Sequence, residues 1–269
     1  MEQNKYYKGH IVVVPYPCQG HINPLLQFAK RLASKGVKAT IATTRYTVGS
    51  ICAANVGVEA ISDGFDEGGF SEAKSEEVFL KSFKANGSAT LSQVILKFQN
   101  SDSPVNCIVY DSFLPWALDV ARQHGIYGAA FFTNSATVSS IFCRIHNGTL
   151  SLPLEEENMP LSSIPGVPPL NFRDLPSFLR LPESYPVYLA MKLSQFSNLE
   201  EADWVFGNTF EELEPGRSQK IKKNSIWWRE KAKKAIAEGG SSDKNINEFV
   251  WVLMSDKRKK FMNENGTHY

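Results

Sequence analysis

Apolar positions along residues 10–147 keep switching between a period of two and a helical period, and each switch marks an element. Ile11–Val14 is a short β-branched run that predicts a first strand. It opens into Tyr16–His21, rich in turn residues. Asn23 is then a good N-cap, with Pro24 at the first helical position. Leu25, Phe28, Ala29, Leu32 and Ala33 recur at i, i+3, i+4, i+7 and i+8, which predicts one buried helix face, and Gly36 closes the helix. The same grammar predicts strands at Val37–Thr43, Val58–Ile61, Val105–Tyr110 and Ala129–Phe132. Between them fall an acidic glycine-rich loop, Asp63–Gly69, and a helical region ending in Leu91, Val94, Ile95 and Phe98. Pro115–Gln123 predicts a further helix, and another runs to about Ile145. Strands alternating with helices imply parallel βαβ units and a doubly wound α/β sheet.

Beyond that stretch the pattern changes. Eight of the 14 prolines fall between Pro153 and Pro186, a loop-rich segment expected to drape over one edge of the sheet. Tyr188–Asn198 predicts a helix and Trp204–Phe210 a last strand. From Ser225 the tail is helical again, with Trp228, Ala232 and Ala235 on one face. Gly239-Gly240 breaks that helix and Ser242 can cap the next, where Ile246, Phe249, Val250 and Leu253 form an i, i+3, i+4, i+7 stripe. Asp256–Tyr269 is charged and expected to fray.

Composition adds little until charge is split along the chain. The 269 residues are 42% hydrophobic and 21% charged, the balance of a globular protein with a core. The net charge of +1 hides an asymmetry: the tail from Arg217 holds 13 Lys and Arg against 6 Asp and Glu, and residues 1–216 hold 16 against 22. Such a tail can mark a nucleic-acid or membrane arm, but its lysines interleave with a core stripe, so a solvated helical face is the preferred reading. Neither nucleic acid nor membrane is expected as a partner. No apolar run approaches the ~20 residues that would span a bilayer, and no signal peptide is visible. The four cysteines, Cys18, Cys52, Cys107 and Cys143, lack metal-ligand spacing. A reducing cytosol and no metal are the expectations.

The chemistry follows from the topology. Ligands of an open α/β sheet bind beyond the carboxyl ends of the strands, where the winding reverses. With strand order 3-2-1-4-5, the loop after strand one carries His21 to the same crevice as Asp111, at the end of strand four. Thr133, ending strand five, lies on that rim. A carboxylate that takes the Nδ1 proton of a histidine fixes its tautomer and leaves Nε2 as a base. On residue type alone a histidine that caps a helix start is the favoured reading, and the switch-point placement brings the two readings level. No nucleophile motif surrounds Ser112 or Cys18, so a substrate hydroxyl is the better target for such a base. Gly20 belongs to no phosphate fingerprint, since G-x-G-x-x-G is missing.

Four motifs, in order and spacing, resemble the plant UDP-glycosyltransferases: Gly20-His21-Ile22-Asn23-Pro24; Tyr110-Asp111-Ser112-Phe113-Leu114-Pro115-Trp116; Phe131-Phe132-Thr133; and Asn208-Thr209-Phe210-Glu211-Glu212-Leu213-Glu214. Ser62-Asp63-Gly64-Phe65-Asp66-Glu67-Gly68-Gly69 is similar to the subgroup that glucosylates carboxylates and hydroxyls of small phenolics and hormones. The likeness covers residues 10–216. It resumes at about Ile221–Val250, where Trp228-Arg229-Glu230 and Glu238-Gly239-Gly240-Ser241-Ser242-Asp243 resemble the family's last helices.

The resemblance implies a Rossmann-like domain of the two-domain GT-B type with appended C-terminal helices. It divides the chain into an acceptor-binding domain at 1–216, helices at 217–254 and a frayed tail at 255–269. It implies a transferase of plant secondary metabolism with no cofactor beyond a UDP-sugar co-substrate. His21 would deprotonate the acceptor, Asp111 orient His21 and Thr133 touch the donor sugar, with Gly20 and Ser112 beside the substrate. The acceptor would be a small phenolic, hormone or terpenoid, glucosylated with inversion. The signature of the family's second domain, which holds uridine and diphosphate, is not found between the two matching pieces. The sequence therefore reads as a deletion, and a non-catalytic acceptor-binding module stands as the alternative to an enzyme.

Overall fold

A computed structural model describes residues 7–155, 169–210 and 233–265, with side chains in the last stretch as far as Ser255. Strands β1 (His10–Val14), β2 (Lys38–Thr44), β3 (Gly57–Ile61), β4 (Cys107–Asp111), β5 (Tyr127–Phe132) and β6 (Trp204–Gly207) form one sheet of order β3-β2-β1-β4-β5-β6. Every neighbouring pair is parallel. The order extends the expected 3-2-1-4-5 by an edge strand, and Trp204–Gly207 is three residues shorter than the apolar run suggested.

Parallel strands need crossovers, and helices supply them. Those described are α1 (Gln19–Ser34), α2 (Arg45–Val48), α3 (Glu76–Gln99), α4 (Trp116–Gln123), α5 (Ala136–His146), α6 (Ser177–Arg180), α7 (Pro186–Ser194) and α8 (Ser241–Asn265). Both sheet faces are covered, so the central strands are apolar throughout rather than alternating. Ile11, Val13, Cys107, Val109 and Phe131 point to the face covered by α1 and α8. Val12, Val14, Ile108, Tyr110 and Phe132 point to the other, against α3, α4 and α5. Because α1 and α3 lie on opposite faces, the winding reverses between β1 and β4.

The first helix departs from the expected start. Asn23 does not cap it; α1 begins at Gln19, with Cys18 at the N-cap and Pro24 inside. His21 and Ile22 already donate their backbone N–H groups to the Cys18 carbonyl, at 3.0 and 2.8 Å. Pro24 forfeits one backbone bond near the helix start, where few are yet made. Burying Ile22, which extends the stripe of Leu25, Leu26, Ala29 and Leu32 by a turn, offsets that loss. His21 thus stands on a helix, not in a loop.

The last helix docks. Ile246, Phe249, Val250 and Leu253 are buried in the same core as α1 and the sheet, and the Phe249 ring meets Trp204 and Phe206 of β6. Asp243, fully buried at its start, accepts from Arg31 of α1 and from Lys35 at the C-cap of α1, at 2.5 and 2.6 Å. Of the helix predicted on Trp228, Ala232 and Ala235, the first two residues lie outside the described residues, as does Glu211-Glu212-Leu213-Glu214, whereas Ala235 is buried in a helical turn at 233–236.

The acidic loop after β3 is a tight turn. Gly64 adopts φ +86°, and a Cβ there would stand 2.1 Å from the Ser82 hydroxyl of α3. Asp63 accepts from the Phe65 N–H at 2.8 Å and Ser62 donates to Asp66 at 2.7 Å. Asp63 and Asp66 thus help to hold the turn, and Asp66 also pairs with Arg45.

Candidate active site

Asp111 ends β4 and is paired in register with Phe131 of β5. Its side chain is completely buried, and its two oxygens have separate tasks. Oδ1 accepts the Phe113 N–H at 3.1 Å, closing the turn after the strand. Oδ2 lies 2.6 Å from Nδ1 of His21, which reaches across from the first turn of α1. With Nδ1–H donated to a carboxylate, the imidazole lone pair sits on Nε2. The His21 side chain keeps 15% of its surface exposed.

Thr133 comes to the same place. Its hydroxyl lies 3.2 Å from Nδ1 of His21, on the rim formed where β5 ends. Gly20 is exposed, and a Cβ built on it would meet nothing within 4 Å, so the backbone beside His21 is open to an incoming group. Ser112 is different. It is buried and donates to Oε1 of Gln195 at 2.9 Å. That bond ties the end of β4 to the end of α7.

Aromatic rings frame the histidine. Phe113 lies 4.8 Å and Tyr16 5.5 Å from it, centroid to centroid. Burial pushes the Tyr16 hydroxyl well above the usual phenol range, with Tyr188, Cys18 and Asp111 adding to the shift, so Tyr16 stays neutral. Sequence patterning missed a further group. Lys192 of α7 is buried, and its ammonium sits 4.6 Å over the Phe113 ring. Burial lowers its proton affinity, and the charges of Asp111 and then Cys18 oppose that fall. The available signal was one lysine directly after the apolar run Pro186-Val187-Tyr188-Leu189-Ala190-Met191 and before Leu193.

Two cavities flank these residues, and neither is lined by His21. One of about 890 Å³ opens between α1, β6 and α8, bordered by Phe28, Arg31, Val205 and Ile246. It is the larger, yet the chemistry lies elsewhere. A cleft of about 580 Å³ between α3, α4 and α7 is walled by Phe83, Phe113, Trp116 and Met191, and so shares Phe113 with the histidine. Among the described residues no three His, Cys, Asp or Glu side chains converge as a metal site, and no helix is long and apolar enough to cross a membrane.

Comparison with known proteins agrees with this architecture. Residues 9–58 match the family described as glycosyltransferase, N-terminal domain. UDP-glycosyltransferase 74F2 of Arabidopsis thaliana is 45% identical over 228 residues, which are 83% of this chain and 47% of the relative. UDP-glycosyltransferase 74B1 of the same plant is 49% identical over 213 residues, 77% of this chain and 45% of its own. Among solved structures, Os79 from O. sativa in complex with UDP superposes with a TM-score of 0.72 at 35% identity, covering 77% of this chain and 47% of that one. The chain spans about half the length of the relatives it matches.

Proposed function

Because this chain is related over most of its length to the plant UDP-glycosyltransferases, we propose that it provides the acceptor-activating half of a glucosyl transfer from UDP-glucose to a hydroxyl or carboxyl group of a small plant metabolite. The 2.6 Å contact between His21 Nδ1 and Asp111 Oδ2 carries the proposal. An acceptor hydroxyl within reach of Nε2 gives up its proton to the imidazole as its oxygen attacks the anomeric carbon. The bond from that carbon to the diphosphate breaks, its electron pair leaves on UDP, and attack from the opposite side inverts the centre. Asp111 stabilises the imidazolium that results. A carboxylate acceptor has no proton to lose and draws only on positioning.

Thr133 is assigned to the donor sugar, since its hydroxyl stands beside the base. The open backbone at Gly20 gives the acceptor room to approach. The cleft behind Phe113 offers apolar surface for the acceptor's body, as small-molecule sites usually do. The cytosol is the proposed place of work, in keeping with four scattered free cysteines.

A second reading draws on the apolar cleft that shares Phe113 with the histidine: on it the chain binds an acceptor and transfers nothing by itself. Incubation with UDP-glucose and a panel of phenolic acids, followed by mass spectrometry, separates the two. Glucoside formation that disappears in His21→Ala supports transfer. Acceptor binding without product supports the non-catalytic module.

A further inference from the structure

The described molecule holds one ammonium group in an unusual setting. Lysines on amphipathic helices normally lay their methylene stems along apolar surface and keep the charge in water. Lys192 does the opposite. Only 9% of the residue is exposed, and Nζ lies 4.6 Å from the Phe113 ring, 4.7 Å from Phe178 and 5.8 Å from Phe142. Ring faces attract a cation but do not neutralise it. Among the described residues the ammonium has neither an ion-pair partner nor a hydrogen-bond acceptor, whereas Arg31, Lys35, Lys97 and Arg122 all pair with carboxylates. A buried charge in this state is satisfied best when a ligand brings the opposite one.

Its position relates it to the chemistry. Phe113 touches both groups, its ring lying 4.8 Å from His21 and 4.6 Å from Lys192 Nζ. The electrostatic influence of Asp111 on Lys192 is a second sign that the two groups face one region. Asp111 itself is occupied by His21 and by the Phe113 N–H, so it does not compensate the lysine directly. Phe113 thus stands next to both the imidazole and the ammonium, and Phe142 and Phe178 stand next to the ammonium.

We propose that Lys192 anchors the acceptor through a carboxylate, and that the acceptors are hydroxylated aromatic acids whose hydroxyl is presented to His21. The flat apolar body of such a molecule packs against the phenylalanines, and its two polar ends meet Nε2 of His21 and the ammonium of Lys192. The assignment rests on the proposed function only for the fate of that hydroxyl; the anchoring itself is a binding property of this chain.

The test is therefore a binding test. The chain is titrated with 4-hydroxybenzoate and with its methyl ester, which keeps the ring and hydroxyl but carries no charge, using ligand-observed NMR. The acid should bind about tenfold or more tightly than the ester, the scale of one charge-assisted contact. Lys192→Met, which keeps the volume and removes the charge, should abolish that preference while leaving ester binding in place. Lys192→Arg should retain it. Equal binding of acid and ester by the parent chain overturns the proposal. So does a preference that survives in Lys192→Met, and so does the absence of saturable binding by either compound. Acid binding through Lys192 with no glucoside formed would instead count against the functional reading and leave the anchor standing.

Discussion

His21 and Asp111 stand 90 residues apart in sequence and 2.6 Å apart in space, joined through Nδ1 and Oδ2. The pair exists because β1 and β4 are adjacent parallel strands that end at the same edge. If it is the base arrangement, His21→Ala should lower the rate of glucoside formation by ~10²–10⁴, the usual contribution of a general base. Asp111→Asn should cause a loss of similar order, since the amide no longer stabilises the imidazolium. Initial rates, with circular dichroism to establish folding, decide the matter. A transfer rate unchanged in both variants would remove His21 from the mechanism.

Docking of the last helix makes a stability prediction. Phe249 is buried against Trp204 and Phe206. Truncating a buried aromatic to alanine typically costs ~3–5 kcal/mol, from lost transfer energy and the cavity left behind. Phe249→Ala should lower the urea midpoint accordingly, and exposed Trp251→Ala should change it little. Equal effects from the two would mean that α8 does not rest on the sheet in solution.

Asp243 ties that helix to α1 in a pH-dependent way. The hydrogen bond from Lys35, then the Gly239 N–H, and more weakly Arg31 hold its carboxyl well below the ordinary carboxylate range, against the opposing effect of burial. A folded-state pKa lowered in this way contributes stability that is present above the unfolded carboxylate value. That stability is lost as pH falls below it toward the folded value. Asp243→Asn should therefore destabilise the protein at neutral pH and flatten its acid-side loss. Urea midpoints measured from pH 7 down to about pH 2 check the sign.

Lys192 gives the reverse case. Burial lowers its affinity for a proton in the folded chain, so the charged form costs stability at all pH values below the folded pKa. That cost fades as pH rises toward the ordinary lysine value. Lys192→Met should raise the melting temperature at neutral pH by a few degrees, and the gap should narrow in alkaline buffer. A variant less stable than the parent at pH 7 would mean that the ammonium has found a partner beyond those described.

Much of this was legible in the sequence, for reasons of short range. Residues i, i+3, i+4 and i+7 share a helix face whatever surrounds them, so the stripes Leu25–Ala33 and Ile246–Leu253 announced their buried sides. Consecutive apolar residues such as Ile11–Val14 announced a strand covered on both faces. Alternation of these elements determined a parallel sheet, and the parallel sheet placed His21 near Asp111. Three things were decided only by the assembled fold. The start of α1 moved upstream from Asn23 because Ile22 had a core to enter, which local capping preference does not register. Ser112 came to donate to Gln195 because that side chain, 83 residues on, was brought against the end of β4. Lys192 became a buried cation because Phe113, Phe142 and Phe178 arrive from three separate parts of the chain. Local patterning determines which face of an element is apolar; only packing determines what that face, and any charge caught within it, will meet.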